Sequence, residues 1–225
     1  MNKANTIALL ILSWITGMGQ AQQPYQLQVP GKSMYAKIDP KGISVLPSGR
    51  FIHPAGQVST LSHDPFGLTV SSDGKYAVAL HNGVLTVYHL LTDSITRIPD
   101  YAQTLTSPFP KGSLLGASFY KDNKTIFLSG GDEGTVIAYD VEKLQIVASY
   151  DLDGVVGDQT FQDSFTSDLL YNETENELLV LDLANYRLVR LDCESKKIKA
   201  SIPVGRLPFG LALSPDHKIA VVANV

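Results

Sequence analysis

The chain carries the stretch PFGLTVSSDGK at residues 65–75 and a close copy of it, PFGLALSPDHK, at residues 208–218. Two weaker copies, at residues 116–124 and 167–177, keep a short apolar run followed by a polar turn with an acidic residue. The acidic residues of the four turns are Asp73, Asp122, Glu175 and Asp216, so successive turns are 49, 53 and 41 residues apart. A chain that resembles itself at such intervals is a repeat protein.

Each full repeat predicts four short β-strands. In the second repeat, runs rich in Val, Ile, Leu, Tyr and Thr are separated by turns rich in Gly, Asp and Asn, as is typical of hairpin strands. These runs lie at residues 117–120, 125–128, 135–139 and 144–150. No stretch beyond the N-terminal region shows a sustained helical period. Because four-stranded units that repeat every 40–45 residues or so are propeller blades, we expect an all-β fold, an incomplete β-propeller of four-stranded antiparallel blades with about three full blades plus partial blades.

The expected blades occupy residues 64–101, 113–151 and 165–204, and a partial blade occupies residues 205–225. Residues 22–63 form an N-terminal segment with strands that can complete a blade. The fourth repeat stops after its second strand, which predicts an unpaired sheet edge. Since a closed ring needs about four blades or more, we expect either a truncated chain or a partial propeller that self-association or a missing C-terminal domain completes.

The N-terminus has the features of a secretory signal peptide at residues 1–21. Lys3 precedes an apolar run at residues 7–15, and the small residues Gly19 and Ala21 form a cleavage pattern. The run is too short for a spanning helix, which needs about 20 apolar residues. We expect cleavage after Ala21 and release of the remaining chain into the periplasm or the extracellular medium of a bacterium, without insertion into the membrane.

The charge balance argues against nucleic acid as a partner. The whole chain has 18 Lys and Arg against 22 Asp and Glu, and without the expected signal peptide, which contains Lys3, the balance is 17 − 22 = −5. Nucleic acids and anionic membranes both require a basic surface.

The sequence contains a single cysteine, Cys193, which lies in a polar turn. Because one cysteine cannot form an intramolecular disulfide, apolar burial must stabilise the fold.

Residues 208–224, PFGLALSPDHKIAVVAN, resemble the YVTN-type β-propeller repeat of exported bacterial proteins, which is similar to the WD40 repeat and to the β-chain of quinoprotein amine dehydrogenase. More narrowly, the region from residue 163 to residue 225 resembles the N-terminal propeller of two-part exported proteins that carry a phosphoesterase domain of the alkaline-phosphatase superfamily. This sequence departs from that pattern because it lacks everything after the start of the fourth repeat. The resemblance implies a propeller. It also implies an alternative hypothesis for function, in which this chain is the N-terminal portion of a secreted metal-dependent phosphoesterase.

Two kinds of segment emerge on the same face of a blade: the turn between its second and third strands and the connection to the next blade. The two longest connections, residues 102–113 and 154–164, are of this kind, and insertions that share one face of a repeat protein are often functional. We expect an unknown protein, glycan or small ligand to bind there. The candidate ligand-binding residues are His81, Asn82, Asp132, Glu133, Asp158, Asp182, Asn185, Tyr186, Arg206 and Phe209.

The sequence contains no catalytic constellation. The acidic stretch at residues 151–163 does not fit an EF-hand, because Val156 stands where that loop needs Gly. The five histidines lack the spacing of metal ligands, and Gly-x-Ser-x-Gly, His-Glu-x-x-His and Cys-x-x-Cys motifs are absent. We therefore expect no cofactor, no metal and no catalytic residue. A lactonase-like propeller enzyme with a metal near Asp182 and Glu133 is a further alternative, so the sequence leaves open whether the protein is an enzyme.

Overall fold

The structure, a computed structural model, describes residues 27–56, 58–59, 61, 64–110, 112 and 116–225. The expected signal peptide at residues 1–21, His63 and the expected start of the second blade at residue 113 lie outside this part of the chain. The chain divides into two compact units, residues 1–60 and residues 61–225. Within the described residues every regular element is a β-strand, and no helix there is long and apolar enough to cross a membrane.

The first unit contains a short β-hairpin. Strands β1 (Ser44–Val45) and β2 (Phe51–Ile52) pair in antiparallel fashion. In the turn between them, the amide of Gly49 donates a hydrogen bond of 2.8 Å to the carbonyl of Leu46. Gly49 has φ = +73°, and a Cβ there would lie 2.7 Å from Cγ2 of Val29, so this turn requires glycine.

The second unit contains three four-stranded antiparallel sheets, blades one to three, and two hairpins. Blade one consists of β3 (Gly67–Val70), β4 (Tyr76–His81), β5 (Val84–His89) and β6 (Ser94–Ile98). Blade two consists of β7 (Ala117–Phe119), β8 (Thr125–Ser129), β9 (Thr135–Asp140) and β10 (Gln145–Asp151), and is followed by a hairpin of β11 (Gly154–Val156) and β12 (Gln159–Phe161). Blade three consists of β13 (Thr166–Asn172), β14 (Glu177–Asp182), β15 (Arg187–Asp192) and β16 (Ile198–Pro203). The half blade consists of β17 (Pro208–Leu213) and β18 (Ala220–Asn224).

The predicted fold class is confirmed. In each blade the strands pair in chain order, and the four strands expected in the second repeat lie in blade two within one residue of their expected bounds. The first strands of the four repeats, β3, β7, β13 and β17, contact one another in succession. The second unit is therefore an incomplete all-β propeller with three full blades and a half blade.

Apolar residues of adjacent blades form three core layers. The layer between blades one and two includes Leu80 and Tyr139, and the layer between blades two and three includes Val136 and Leu169. A third and smaller layer, around Leu181, joins blade three to the half blade. Tyr139 and Val136 belong to the same strand and enter different layers, because successive side chains of a strand point to opposite faces. The faces that meet another blade are therefore apolar.

Hydrogen bonds between side chains and neighbouring turns link the blades at the end where first strands give way to second strands. In one link, Oδ1 of Asn123 accepts hydrogen bonds of 2.8 Å from both the amide and the hydroxyl of Ser72. In another, Nδ1 of His217 lies 3.1 Å from Oδ1 of Asn172. Asn123 and His217 have φ values of +58° and +59°, a left-handed backbone that Gly74 adopts in blade one with φ = +69°.

Candidate binding face

The candidate residues were expected at the opposite end of the blades, where second strands end and third strands begin. We call this end the loop face. Three turns lie on it, residues 82–83, 130–134 and 183–186, together with the long connections after β6 and β10 and the short connection after β16. Antiparallel pairing brings these segments to the same end of their sheets, because the first and third strands of a blade run opposite to the second and fourth.

The connection between blades one and two is packed against both of them. The ring of Phe109 is 5% exposed and meets the ring of Tyr139 edge-on, with 5.1 Å between the ring centroids. The amide of Gly112 donates a hydrogen bond of 2.7 Å to Oδ1 of Asn82. Asn82, one of the candidate ligand-binding residues, therefore fastens this connection to the turn of blade one.

The same connection also touches two glycine-containing turns. The hydroxyl of Ser107 donates a hydrogen bond to the carbonyl of Gly83 in blade one. In blade two, a Cβ on Gly131 would lie 2.3 Å from the carbonyl carbon of Gly112. The glycine-rich turn at residues 130–134 is thus needed for close backbone packing, which agrees with its interpretation as a strand connection.

The connection between blades two and three contains the hairpin of β11 and β12, where the sequence had predicted only a loop. Asp158 occupies the exposed turn of this hairpin. The carboxylate of Asp153 binds the returning chain, because its Oδ2 accepts a hydrogen bond of 3.2 Å from the amide of Asp163 and its Oδ1 accepts one of 3.0 Å from the amide of Ser164. The acidic stretch therefore orders its own loop through Asp153 and leaves Asp158 exposed.

A buried arginine holds this second connection against blade three. Arg187 is 1% exposed, its Nε donates a hydrogen bond of 2.8 Å to Oδ2 of Asp182, and its Nη2 donates one of 2.7 Å to the carbonyl of Leu152. Its guanidinium carbon lies 3.6 Å from the centroid of the Phe161 ring. Burial alone would raise the pKa of Asp182, but hydrogen bonds from Arg187 and Asn185 hold it below its usual value. Asp182, another candidate, is therefore the partner of a buried cation.

Two further candidates have structural partners. Nδ2 of Asn185 donates hydrogen bonds of 2.9 Å to Oδ2 of Asp182 and of 3.2 Å to the carbonyl of Gln162, which ties the turn of blade three to the hairpin connection. His81 is buried, and its Nε2 lies 3.0 Å from Oγ1 of Thr86. Like Asn82 and Asp182, these side chains hold the segments of the loop face together, and of the four Asn82 is exposed.

The remaining six candidates keep accessible side chains. They are Asp132, Glu133, Asp158, Arg206 and Phe209, which are exposed, and Tyr186, which is half-buried. The guanidinium carbon of Arg206 lies 5.8 Å from the centroid of the Tyr186 ring. Glu133 lines a groove of about 280 Å³ together with residues 107–110 of the first connection. The accessible part of the loop face is thus a mixture of acidic groups with one arginine and two aromatic rings.

Two groups with catalytic potential, Cys193 and His89, are unreactive or engaged in packing. Burial and the nearby Asp192 raise the pKa of Cys193 to about 12, so its thiol stays protonated. His89 packs edge-on against Tyr76, with 5.2 Å between ring centroids. Nowhere in the part of the chain that the structure describes do three His, Cys, Asp or Glu side chains form a group that could hold a metal ion. Asp182, near which the lactonase-like alternative would place a metal, has Arg187 as its partner.

Sequence reasoning missed several charged residues inside the fold, among them Arg187, which is buried, and Asp168, which is half-buried. Arg187 begins the otherwise apolar run Arg187-Leu188-Val189, and a charge at the start of such a strand was the available signal. Asp168 lies in β13, where its Oδ2 accepts a hydrogen bond of 2.9 Å from the amide of Leu211 in the half blade. Burial raises the pKa of Asp168, and two backbone amides partly offset the rise. Asp168 thus joins the inner strands of two neighbouring sheets.

Comparison with solved structures identifies the architecture. A chain of the hydrazine synthase of Kuenenia stuttgartiensis aligns with a TM-score of 0.55 and 16% sequence identity, over 76% of this chain and 45% of that chain. A chain of the mitotic checkpoint complex aligns with a TM-score of 0.57 and 15% identity, over 70% of this chain and 46% of that chain. No family model and no curated protein matches the sequence. This chain spans less than half the length of each structural neighbour, both contain propellers, and the likeness shows that its fold is of the β-propeller type.

Proposed function

We propose that this protein is an exported β-propeller of the YVTN type that binds a partner on its loop face and serves as a binding or scaffolding module. The observation that carries the proposal is the way the two long connections are held. Asn82 fastens the first connection, and Arg187 with Asp182 fastens the second. A surface that is ordered before binding loses less conformational freedom when a partner docks.

The accessible residues of the loop face suit a macromolecular partner. Phe209 is 44% exposed, and Arg206 lies over the ring of Tyr186. Aromatic and arginine side chains contribute most of the energy in many protein interfaces, and aromatic faces also stack on sugar rings. The acidic side chains of Asp132, Glu133 and Asp158 lie in other turns of the same face and add polar contacts. A protein or a glycan is therefore the kind of partner that we propose.

Export is the second part of the proposal, and it rests on the N-terminal sequence. The apolar run at residues 7–15 and the small residues before position 22 are the features of a cleavable signal peptide. Expression of the full chain in a bacterium, followed by fractionation and N-terminal sequencing, tests this. We expect the protein in the periplasm or medium with Gln22 at its N-terminus. Recovery of an uncleaved chain in the cytoplasm would contradict export.

Photo-crosslinking tests the binding face. A photoreactive phenylalanine analogue replaces Phe209 on the loop face or, as a control, Leu91, which is 77% exposed in the β5–β6 turn at the opposite end of the blades. In the cells that produce the protein, we expect a discrete adduct from position 209 and none from position 91. Equal labelling from both positions, or from neither, would count against a partner on the loop face.

A glycan partner calls for a separate measurement. The Arg206→Ala substitution should weaken binding of the purified protein to a glycan array. The Lys121→Ala substitution, which removes a lysine at the other end of the blades, should leave this binding unchanged.

The alternative hypothesis, that the protein is an enzyme, is tested on the same preparation. Metal-dependent turnover of phosphoester or lactone substrates would show that the protein is a catalyst and not only a binding module.

A further inference from the structure

A second candidate site lies between blades one and two, along the outermost strand of blade one. It is a groove of about 630 Å³. One wall is strand β6, and the other is formed by Tyr139 of β9 and Leu144 of the following turn. Asp100 and Gln103, at the start of the long connection after β6, close one end. The groove contains none of the ten candidate residues that the sequence suggested.

The lining of the groove shows that it follows a strand edge. Ile95, Thr96, Arg97 and Ile98 all line it, although neighbouring side chains of a strand point to opposite faces. Four consecutive residues can border one groove only if it runs beside their backbone. In the sheets that the structure describes, β6 pairs with β5 alone, so the backbone groups on its outer edge face this groove. An edge of this kind accepts a further strand.

The wall that Tyr139 and Leu144 form contains a buried polar group without a hydrogen-bond partner among the described residues. Tyr139 is 1% exposed, and its hydroxyl makes no hydrogen bond to any residue in the described part of the chain. Its ring is held in place by the edge-on contact with Phe109. A buried hydroxyl without a partner is costly, so this position favours a ligand that supplies a hydrogen-bonding atom.

We propose that this groove binds an extended peptide segment of a partner protein, which pairs its backbone with the edge of β6 and places a neutral hydrogen-bond acceptor against the hydroxyl of Tyr139. The strand edge recognises the peptide backbone, and Tyr139 recognises one side chain. The groove borders the start of the first connection but contains none of the loop-face candidate residues, so its test does not depend on the function proposed above.

The charges around the groove favour a neutral acceptor over a carboxylate. Burial and the neighbouring charge of Asp140 raise the pKa of Tyr139 to about 12, so the hydroxyl stays protonated and can donate a hydrogen bond. At the end of the groove, the carboxylate of Asp100 already accepts hydrogen bonds from the amide of Ala102 (3.0 Å) and from Nε2 of Gln103 (2.9 Å). An anionic side chain placed against the hydroxyl of Tyr139 would be repelled by Asp140, whereas the amide of Gln or Asn would not. Arg97, the cation that lines the groove, belongs to the β6 wall on the other side.

The test uses the full chain and three synthetic heptapeptides, each blocked at both ends. The first has the sequence Thr-Val-Thr-Gln-Thr-Val-Thr, the second carries Leu in place of Gln, and the third is the first with methyl groups on alternate backbone amides. Amide chemical shifts of residues 94–103 in the NMR spectrum report binding. We expect the Gln peptide to bind, the Leu peptide to bind on the order of threefold to tenfold more weakly, as the loss of one hydrogen bond predicts, and the methylated peptide not to bind.

Two protein variants complete the experiment. Tyr139→Phe should weaken binding of the Gln peptide by a similar factor and leave binding of the Leu peptide unchanged. This result would assign the lost binding energy to the interaction between the Tyr139 hydroxyl and the Gln side chain. Tyr150→Phe removes a hydroxyl from the same blade outside the groove and should change neither affinity. Equal binding of the methylated and unmethylated peptides, no effect of Tyr139→Phe, or no shift with any peptide would overturn the proposal. So would shifts of the same amides caused by maltotriose alone, since these would assign the groove to carbohydrate.

Discussion

Nε of Arg187 lies 2.8 Å from Oδ2 of Asp182, and both side chains are almost completely buried. The pair lies where the hairpin connection meets blade three, and Arg187 also binds the carbonyl of Leu152 and the ring of Phe161. A buried pair of this kind contributes to the fold mainly because each charge neutralises the other. It also connects stability to function, since it fixes a segment of the proposed binding face.

Removal of one member of the pair should therefore be severe. Arg187→Met leaves the Asp182 carboxylate buried without its cation, and we expect a loss of about 3–5 kcal/mol in the free energy of unfolding. Urea denaturation measures this loss in the free energy of unfolding. The double variant Arg187→Met/Asp182→Asn should recover part of the loss, because it removes the uncompensated charge. Lys124→Met, which breaks the exposed ion pair with Glu142, is the control and should hardly move the urea midpoint. A loss in Arg187→Met no larger than in this control would contradict the structural role.

The same pair predicts a pH dependence. The folded-state pKa of Asp182 lies below its ordinary value of 3.8, so its contribution to stability is present above pH 3.8 and is lost as the pH falls through the folded pKa. Asp182→Asn should be less stable than the natural protein near pH 7, and the difference should shrink below about pH 4. Urea midpoints measured across this range test it, and a difference that is constant with pH would show that the charge is not involved.

The contribution of Asp168 to stability should depend on pH in the opposite direction to that of Asp182. Burial raises its pKa above 3.8 in the folded protein, so the ionised carboxylate costs stability, and this cost grows as the pH rises from 3.8 through the folded pKa. In Asp168→Asn the side-chain oxygen can still accept the hydrogen bond of the Leu211 amide. We expect this variant to be more stable than the natural protein near pH 7 and about equally stable below about pH 3. The same urea series checks the prediction, and a destabilised Asn variant at neutral pH would refute it.

The hydroxyl of Tyr139 predicts opposite effects on stability and binding. Because it is buried without a partner in the described structure, Tyr139→Phe should stabilise the unliganded protein by about 1 kcal/mol. Tyr171→Phe is the matched control, since the Tyr171 hydroxyl donates a hydrogen bond of 2.9 Å to Oδ1 of Asn176, and its loss should destabilise by a similar amount. Thermal unfolding of the two variants decides this. Destabilisation by Tyr139→Phe would mean that the hydroxyl has a partner in solution.

The fold was predictable because its determinants are local. Turns such as residues 71–75 and 214–218 carry Ser, Asp and a left-handed residue at fixed spacing, with Gly74 in one and His217 in the other. These residues close hairpins through bonds within the turn, as when Oδ1 of Asp73 accepts from the amide of Lys75. Because each blade repeats this chemistry, comparison of the chain with itself was sufficient to locate the strands of the blades, but it missed the hairpin of β11 and β12.

The candidate site was harder to predict because its contacts are between segments distant in the chain. Asn82 and Asp182 have the composition expected of a ligand site, but their partners are Gly112 and Arg187. A polar residue in a turn has the same sequence signature whether it faces solvent or a neighbouring connection. The sequence likewise predicts that Phe109 is part of a loop, and only the packing of two blades shows that its side chain belongs to the core.

Leu144 offers a final prediction that concerns the backbone alone. It has φ = +54° in the turn between β9 and β10, a conformation that is strained for a residue with a Cβ. Leu144→Gly should relieve about 1 kcal/mol of strain, less the cost of a more flexible unfolded chain. Leu144→Ala is the matched control, since it removes the same contacts of a side chain that is 47% exposed but keeps the Cβ. We expect the Gly variant to have the higher melting temperature of the two, and the reverse order would show that this turn carries no strain.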